Sequence, residues 1–325
     1  MSLTAIILAA GKSTRIKSHK PKPLHEVCGR PMLWYVLRAC FEAGCQKVMV
    51  VVGHGKDEVM AQFADDKRIV WVEQTQQLGT GHAARMCEAE VKKSLGDVFI
   101  LAGDGPLIRG EVLKTLLTAH HQDHAAASMA TAVLEDPFGY GRIIRDTNGD
   151  FVQIVEEADA TPDQKLLTEV FPSYYCVKST ELLHALSKLT NTTNKKGEYY
   201  LTDIFAILRD EGKKVVAVQA VAPEDTLGVN TRQQLAEIDL IMQDRIQTQV
   251  RESGVTIVNS FNTYIESGVS VGQDTTIHPF TFIGRESAIG ASCVIGPFAR
   301  IPRDSIVPEK TEIVANIAAE TGTKL

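Results

Sequence analysis

Apolar residues over roughly the first 220 positions come in two alternating forms. One form is a short, near-continuous run: Ile6-Ile7-Leu8-Ala9, then "KVMVVVG" at Lys47–Gly53, then "DVFILAGD" at Asp97–Asp104. The other has helical spacing: "MLWYVLRACFEAG" at Met32–Gly44, closed by a glycine, and "GHAARMCEAEVKKSL" from Gly81. Runs apolar at successive positions predict strands buried on both faces of a parallel sheet. Their alternation with helices predicts a doubly wound α/β sheet. Ligands of such sheets bind outside the carboxyl ends of the strands. That rule sets Gly11, Gly53 and Asp104 near one rim.

The pattern changes near residue 230. "NTRQQLAEIDLIMQDRIQTQVRESG" predicts a long helix, with Thr231 as its cap and Gln234 completing a capping box. Leu235, Ile238, Met242 and Ile246 form an apolar stripe along it, read as core packing. From Ile265 onward an aliphatic residue falls at every sixth position, through Val271, Ile277, Ile283, Ile289, Ile295, Ile301 and Val307 to Ile313. A small or β-branched residue follows four positions after each, from Val269 and Thr275 to Ser305 and Thr311. A hexapeptide period marks a parallel β-helix. So short a stack has exposed ends and calls for cover by neighbours or by oligomerisation. The expected division is a domain at 1–229, a connector helix at 230–253 and a β-helix at 254–325.

Composition narrows the function classes. The chain has 325 residues, a net charge of −6 and 44% hydrophobic residues. That balance supports a buried core and gives no reason to expect nucleic acid or a membrane as partner. The six cysteines are scattered with no C-x-x-C, which suits free thiols in a reducing cytoplasm. No leader-like N-terminus and no membrane-length apolar run is seen, so a cytoplasmic location is expected.

Candidate chemistry begins at "ILAAGKSTRIKSHKPKPL". A P-loop needs a glycine five positions before Gly11, and Ile6 stands there. The stretch still places a small-residue turn after a strand, with Lys12, Arg15 and Lys22 close by, which suits an anion. Taken alone it equally fits an ordinary strand-to-helix turn. "VVGHGKDEV" fails the dinucleotide fingerprint because Glu58 stands where its last glycine belongs. "EQTQQLGTGHA" puts Gly79-Thr80-Gly81 just before a helix, where backbone N–H groups and a hydroxyl can meet a ligand. "LAGDGPL" ends a strand on Asp104, a place for a carboxylate that holds a hydrated Mg²⁺, or for a plain turn aspartate.

Together with "DPFGYGRI", "IVEEADAT", "GEYYLTDI" and "GVNTRQQL", these stretches resemble the sugar-1-phosphate nucleotidylyltransferases, and within them the bacterial N-acetylglucosamine-1-phosphate uridylyltransferases. The resemblance runs from Leu8 to the end of the connector helix, with the hexapeptide tail after it. It implies a Rossmann-like, doubly wound nucleotidyltransferase domain followed by a short left-handed parallel β-helix. It implies transfer of UMP from UTP to a sugar 1-phosphate, with Mg²⁺ as cofactor. By resemblance, Leu8, Ala9, Ala10, Gly11 and Gly103 cradle the nucleotide, while Gln74, Gly79 and Thr80 meet the uracil. Arg15 and Lys22 are the catalytic cations, and Asp104 and Asn230 hold the metal. Ala102, Gly141, Glu156, Phe171, Tyr199 and Tyr200 line the sugar pocket.

The chain departs from the family at several positions. Ser13 replaces the second glycine of the first motif. Ala102 stands where a tyrosine is usual, Phe171 where an asparagine contacts the amino sugar, and Ala158 where a lysine is usual. Losing that amide predicts weaker selection of the N-acetyl sugar, unless a neighbour such as Tyr174 compensates. By the same resemblance, the tail implies a homotrimer. It is not expected to carry the acetyltransferase site of the bifunctional enzymes, and its one histidine, His278, reads as an ordinary repeat residue.

Overall fold

The first apolar run, Ser2–Leu8, lies between two parallel neighbours, Gly96–Ala102 and Lys47–Val52. Ile69–Glu73 extends the sheet beyond Lys47–Val52. On the other side Glu169–Lys178 runs antiparallel between Gly96–Ala102 and Ala127–Val133, and Val215–Gln219 closes that edge. The hairpin Gly141–Arg145 and Phe151–Val155 branches from Glu169–Lys178, giving nine strands in all. The sheet is therefore mixed. Period and hydrophobicity alone cannot tell an antiparallel strand buried on both faces from a parallel one.

The computed structural model describes residues 2–12, 14–192 and 197–314. Ser13 and the end of the expected β-helix, 315–325, lie outside the described residues. The chain forms two units: Met1–His25 with Pro31–Gln234, and Glu26–Arg30 with Leu235–Leu325.

Both faces of the nine-stranded sheet are covered. Ala5, Ile7, Phe99 and Leu101 point to one face, against Leu33, Val36 and Leu113 of the helices Met32–Glu42 and Gly110–Gln122. Their sequence neighbours Ile6, Val98 and Ile100 point to the other, against Ala84, Leu182, Leu186 and Phe205. This is the period-2 geometry of a strand applied to a run with no polar member. The helix predicted from Gly81 is instead two short ones, Thr80–Arg85 and Glu88–Val91. The chain tightens between them through i→i−3 bonds at Met86 and Cys87.

Register sets the functional rim. Leu8 pairs with Val51 on one side and Ala102 on the other, so the three strands end together. Gly103 N–H then donates to the Leu8 carbonyl at 2.9 Å, and Ala9 N–H to that of Val51 at 2.9 Å.

In the second unit, short strands stack into three parallel ladders. Thr256–Ile257 begins one of four strands; ladders starting at Thr263–Ile265 and Ser270–Val271 have three each. Ile283 pairs with Ile265 and Ile301, so residues eighteen apart lie above one another. Ile265, Ile277, Ile283 and Ile295 are fully buried. The small residues of the repeat tie the coils: Thr275 Oγ1 donates to Gly290 O and Ser287 Oγ to Pro302 O, both at 2.9 Å. The backbone turns at a left-handed corner every six residues. These are Gly268, Asp274, Phe280, Glu286, Ser292, Phe298, Asp304 and Lys310, with φ between 57° and 83°. Each non-glycine corner costs roughly 1–2 kcal/mol, while a buried Ile contributes about 1.5–3 kcal/mol. One such aliphatic per hexapeptide therefore offsets its corner.

Candidate active site

Four polar side chains meet at the rim of the first unit. Lys22 Nζ lies 2.5 Å from Asp104 Oδ2 and 2.9 Å from Asn230 Oδ1. Arg15 Nη2 donates to the same Asn230 oxygen at 2.9 Å. These residues come from four separate places in the chain. Lys22 opens a short 3-10 turn, Lys22–Leu24, started by Pro21. Asp104 follows the strand Gly96–Ala102, and its carbonyl accepts from Val229 N–H at 2.9 Å, which brings Asn230 alongside. Gln234 then secures the Asn230 backbone: its Oε1 accepts from the N–H of Asn230 at 2.8 Å and of Thr231 at 3.1 Å. Thr231 Oγ1 accepts in return from Gln234 N–H at 3.2 Å, so the capping box forms as the sequence indicates.

A cavity of about 330 Å³ opens beside this cluster. Leu8, Ala9, Ala10 and Gly11 form one wall, Gln74, Gly79 and Thr80 another, and Ala102, Gly103, Asp104 and Lys22 the floor. Gly79 has φ 109°, and a Cβ there would lie 2.6 Å from Tyr199 O, so only glycine fits the close approach. Tyr199 N–H donates to Leu78 O and Tyr199 O accepts from Gly81 N–H, which pins this wall to the "GEYYL" stretch. The Thr80 hydroxyl accepts from Leu201 N–H at 3.0 Å. Gln74 is buried, its Nε2 3.3 Å from Gly79 O and 3.0 Å from His82 Nδ1. His82 and Gln77, whose Nε2 donates to Gln74 O, orient this wall and were not singled out from sequence. A histidine in the first turn of a helix carries no motif that would flag it.

The expected sugar residues do not lie together. Ala102 lines the cavity. Glu156 lies instead in a second cavity of about 400 Å³, with Tyr200, Thr202, Asp159 and Asp203. Thr202 Oγ1 donates to Glu156 Oε1 at 3.1 Å. Gly141 sits beside this carboxylate; a Cβ there would be 3.7 Å from its Oε2. Burial, with Glu156 and Asp159 nearby, pushes the Asp203 carboxyl up to about 6. The same burial and carboxylates push the Tyr200 phenol up to about 12. Tyr199 lines neither cavity; its ring lies under the Arg85 guanidinium, 4.7 Å from centroid to Cζ. Phe171 is turned away from the pocket. It is buried edge-on against Tyr175 at 4.7 Å and near Phe205, because an apolar ring gains more from this aromatic cluster than from a polar cleft. Tyr174 is buried too, its hydroxyl donating to Asp225 O at 2.8 Å.

A hard cation fits the cluster. Asp104 Oδ2 and Asn230 Oδ1 already converge on one cationic atom, Lys22 Nζ, and both are oxygen donors. A Mg²⁺ ion, which keeps several waters and shares phosphate oxygens, asks for no more than one or two such protein ligands.

Comparisons with known proteins give the family and the fold. The model of the MobA-like NTP transferase domain matches residues 5–199. The chain is 44% identical over 295 residues to the bifunctional protein GlmU of Brevibacillus brevis, covering 91% of this chain and 63% of that protein. It is 42% identical over 318 residues to the bifunctional protein GlmU of Heliobacterium modesticaldum, covering 98% and 69% respectively. Thus it spans between three-fifths and seven-tenths of the length of these relatives. A crystal structure of UDP-glucose pyrophosphorylase complexed with UDP-glucose shares the fold, with a TM-score of 0.63 at 19% identity over 75% of this chain and all of that one.

Proposed function

The chain belongs to the MobA-like NTP transferase family, and on that premise we propose that it transfers UMP from UTP to a sugar 1-phosphate, releasing pyrophosphate. N-acetylglucosamine 1-phosphate is the first candidate acceptor, and the product is a UDP-sugar for cell-envelope synthesis. The observation that carries this reading is the convergence of Lys22, Arg15, Asp104 and Asn230 beside a cavity walled by the glycine loop.

The chemistry follows from charge. A phosphate monoester is largely dianionic at neutral pH, its second pKa being near ~6. Such an oxygen attacks the α-phosphorus of UTP without a general base, and pyrophosphate leaves in line. The protein's task is then to position and to neutralise. Gly11 and the backbone before it bring N–H groups to the triphosphate. Lys22 and Arg15 face the α- and β-phosphates as negative charge builds on the leaving group. Gln74, Gly79 and Thr80 hold the base, and Glu156 with Gly141 receives the sugar hydroxyls. Asp104 and Asn230 hold the Mg²⁺ ion, which screens phosphate charge when bound.

The hexapeptide coils suit a homotrimer, and a UTP-consuming reaction suits the cytoplasm. Among the described residues no helix is long and apolar enough to cross a membrane. The test is pyrophosphate release with UTP, Mg²⁺ and N-acetylglucosamine 1-phosphate. Turnover that requires all three supports the reading; no release with any nucleotide and sugar phosphate removes it.

A further inference from the structure

Ser173 combines three properties that no other residue of the cavity shares. Its backbone is left-handed, with φ 68°. It lines the 330 Å³ cavity beside Ala102, Asp104 and Tyr175. Its hydroxyl makes no hydrogen bond to any described residue.

The cause lies in the strand Glu169–Lys178. Val170 pairs with Ala132, yet Tyr174 pairs with Ala130, so the chain bulges over the residues between. Phe171 turns into the aromatic cluster and Tyr174 sends its hydroxyl to Asp225 O. Phe171 and Tyr174 are thereby buried in the cores on opposite faces of the sheet, and Ser173 between them lines the cavity. Tyr174 also pairs with Leu101, which brings Ser173 level with Ala102. Ala102 ends in a methyl group and cannot hydrogen-bond through its side chain. The Ser173 hydroxyl is then a polar group offered at this part of the cavity lining, beside Asp104 and Tyr175. A left-handed non-glycine costs roughly 1–3 kcal/mol, and such strain persists where the surroundings impose it, often for function.

We propose that Ser173 is a specificity-determining residue whose hydroxyl hydrogen-bonds the sugar ring of the acceptor 1-phosphate. This rests on the activity proposed above. A hydroxyl has one donor and two acceptor lone pairs and rotates to suit its partner. It pairs with a ring hydroxyl as readily as with an acetamido carbonyl. The acceptor class is therefore a hexose 1-phosphate with either a 2-hydroxyl or a 2-acetamido group, the two turned over at comparable efficiency.

Ser173→Gly separates this role from a structural one. Glycine relieves the left-handed backbone, so the melting temperature stays level or rises. The KM for sugar 1-phosphate rises about three- to tenfold, the size of one neutral hydrogen bond, while the KM for UTP is unchanged. Ser173→Asn, which tolerates left-handed backbone and keeps a donor and an acceptor, recovers part of the affinity. The panel is glucose, galactose, glucosamine and N-acetylglucosamine 1-phosphates. A glycine variant whose sugar KM stays within about twofold of wild type overturns the assignment to Ser173 and leaves the activity standing. A wild-type preference above about a hundredfold for one 2-substituent overturns the acceptor class. A wild type inactive with the whole panel overturns both the activity and this inference.

Discussion

Non-glycine residues with left-handed backbone occur in both units, arranged in different ways. In the hexapeptide repeats they recur at Asp274, Phe280, Glu286, Ser292, Phe298, Asp304 and Lys310, one per hexapeptide, and the same unit holds one more, Cys28, outside the repeats. Among the described residues of the sheet unit they are Lys17, His124 and Ser173, with no common spacing. The periodic set belongs to the architecture: every coil needs the same corner, and the buried isoleucines beneath stabilise it. The isolated set has no repeat to account for it, and Ser173 lines the rim cavity. Strain shared by every repeat speaks of fold; strain at one residue beside a polar cleft speaks of ligand.

The largest effect expected from breaking this comparison is at the rim. Lys22→Ala removes the ammonium joining Asp104 to Asn230 and should lower turnover by about 10²–10³. The unfolding of the hexapeptide ladders should be unaffected. Steady-state pyrophosphate release and calorimetry measure the two sides. A variant within about threefold of wild type would mean that phosphate charge is neutralised elsewhere.

The next effect tests the other unit. Ile283 is fully buried and sits in the middle of its ladder. Ile283→Ala should cost about 2–5 kcal/mol, seen as an earlier calorimetric transition. A loss below about 1 kcal/mol would show that the aliphatic column is not what holds the corners.

The two units also differ in how much their sequence discloses. The hexapeptide period is visible because one buried position per six residues must be aliphatic, and Ile265 to Ile313 keep it without a break. The corners are not visible: Asp, Phe, Glu, Ser and Lys share no property that marks left-handed backbone. In the sheet unit the buried strands and the rim acid Asp104 are legible, being apolar runs with an abrupt polar end. The bulge is not legible. The family resemblance places Phe171 in the pocket, whereas in the bulged strand it packs into the aromatic cluster and Ser173 lines the cavity. Gln74 likewise stands out in its motif, but its contact with His82 is a matter of tertiary placement.

A smaller effect concerns the second cavity of the sheet unit. The Asp203 carboxyl titrates at about 6 in the folded chain, against about 3.9 when unfolded. The folded state thus binds more protons between these values. This contribution to stability is complete below about pH 4 and is lost as pH rises through 6. Asp203→Asn should flatten that slope and raise stability at pH 7.5 by about 1–2 kcal/mol, after allowance for solvent screening. Urea titrations across pH 4–8 measure it. An unchanged slope would mean that neither burial nor Glu156 and Asp159 raise this carboxyl in the folded chain.

The smallest effect sharpens the opening contrast most. Ser292 and Ser173 are the same residue type in nearly the same backbone, with φ 57° and 68°. Ser292 is an exposed corner of the hexapeptide unit whose N–H donates to Gln273 O at 2.9 Å, a bond that glycine keeps. Ser292→Gly relieves left-handed strain, partly cancelled by the extra freedom glycine gives the unfolded chain. The net change should be within about 1 kcal/mol, with kinetics indistinguishable from wild type. Ser173→Gly should match it in stability and differ in sugar KM alone. If both glycine variants raise the sugar KM, backbone stiffness rather than a hydroxyl governs acceptor binding. If neither does, isolated left-handed strain in this fold is no guide to its ligand.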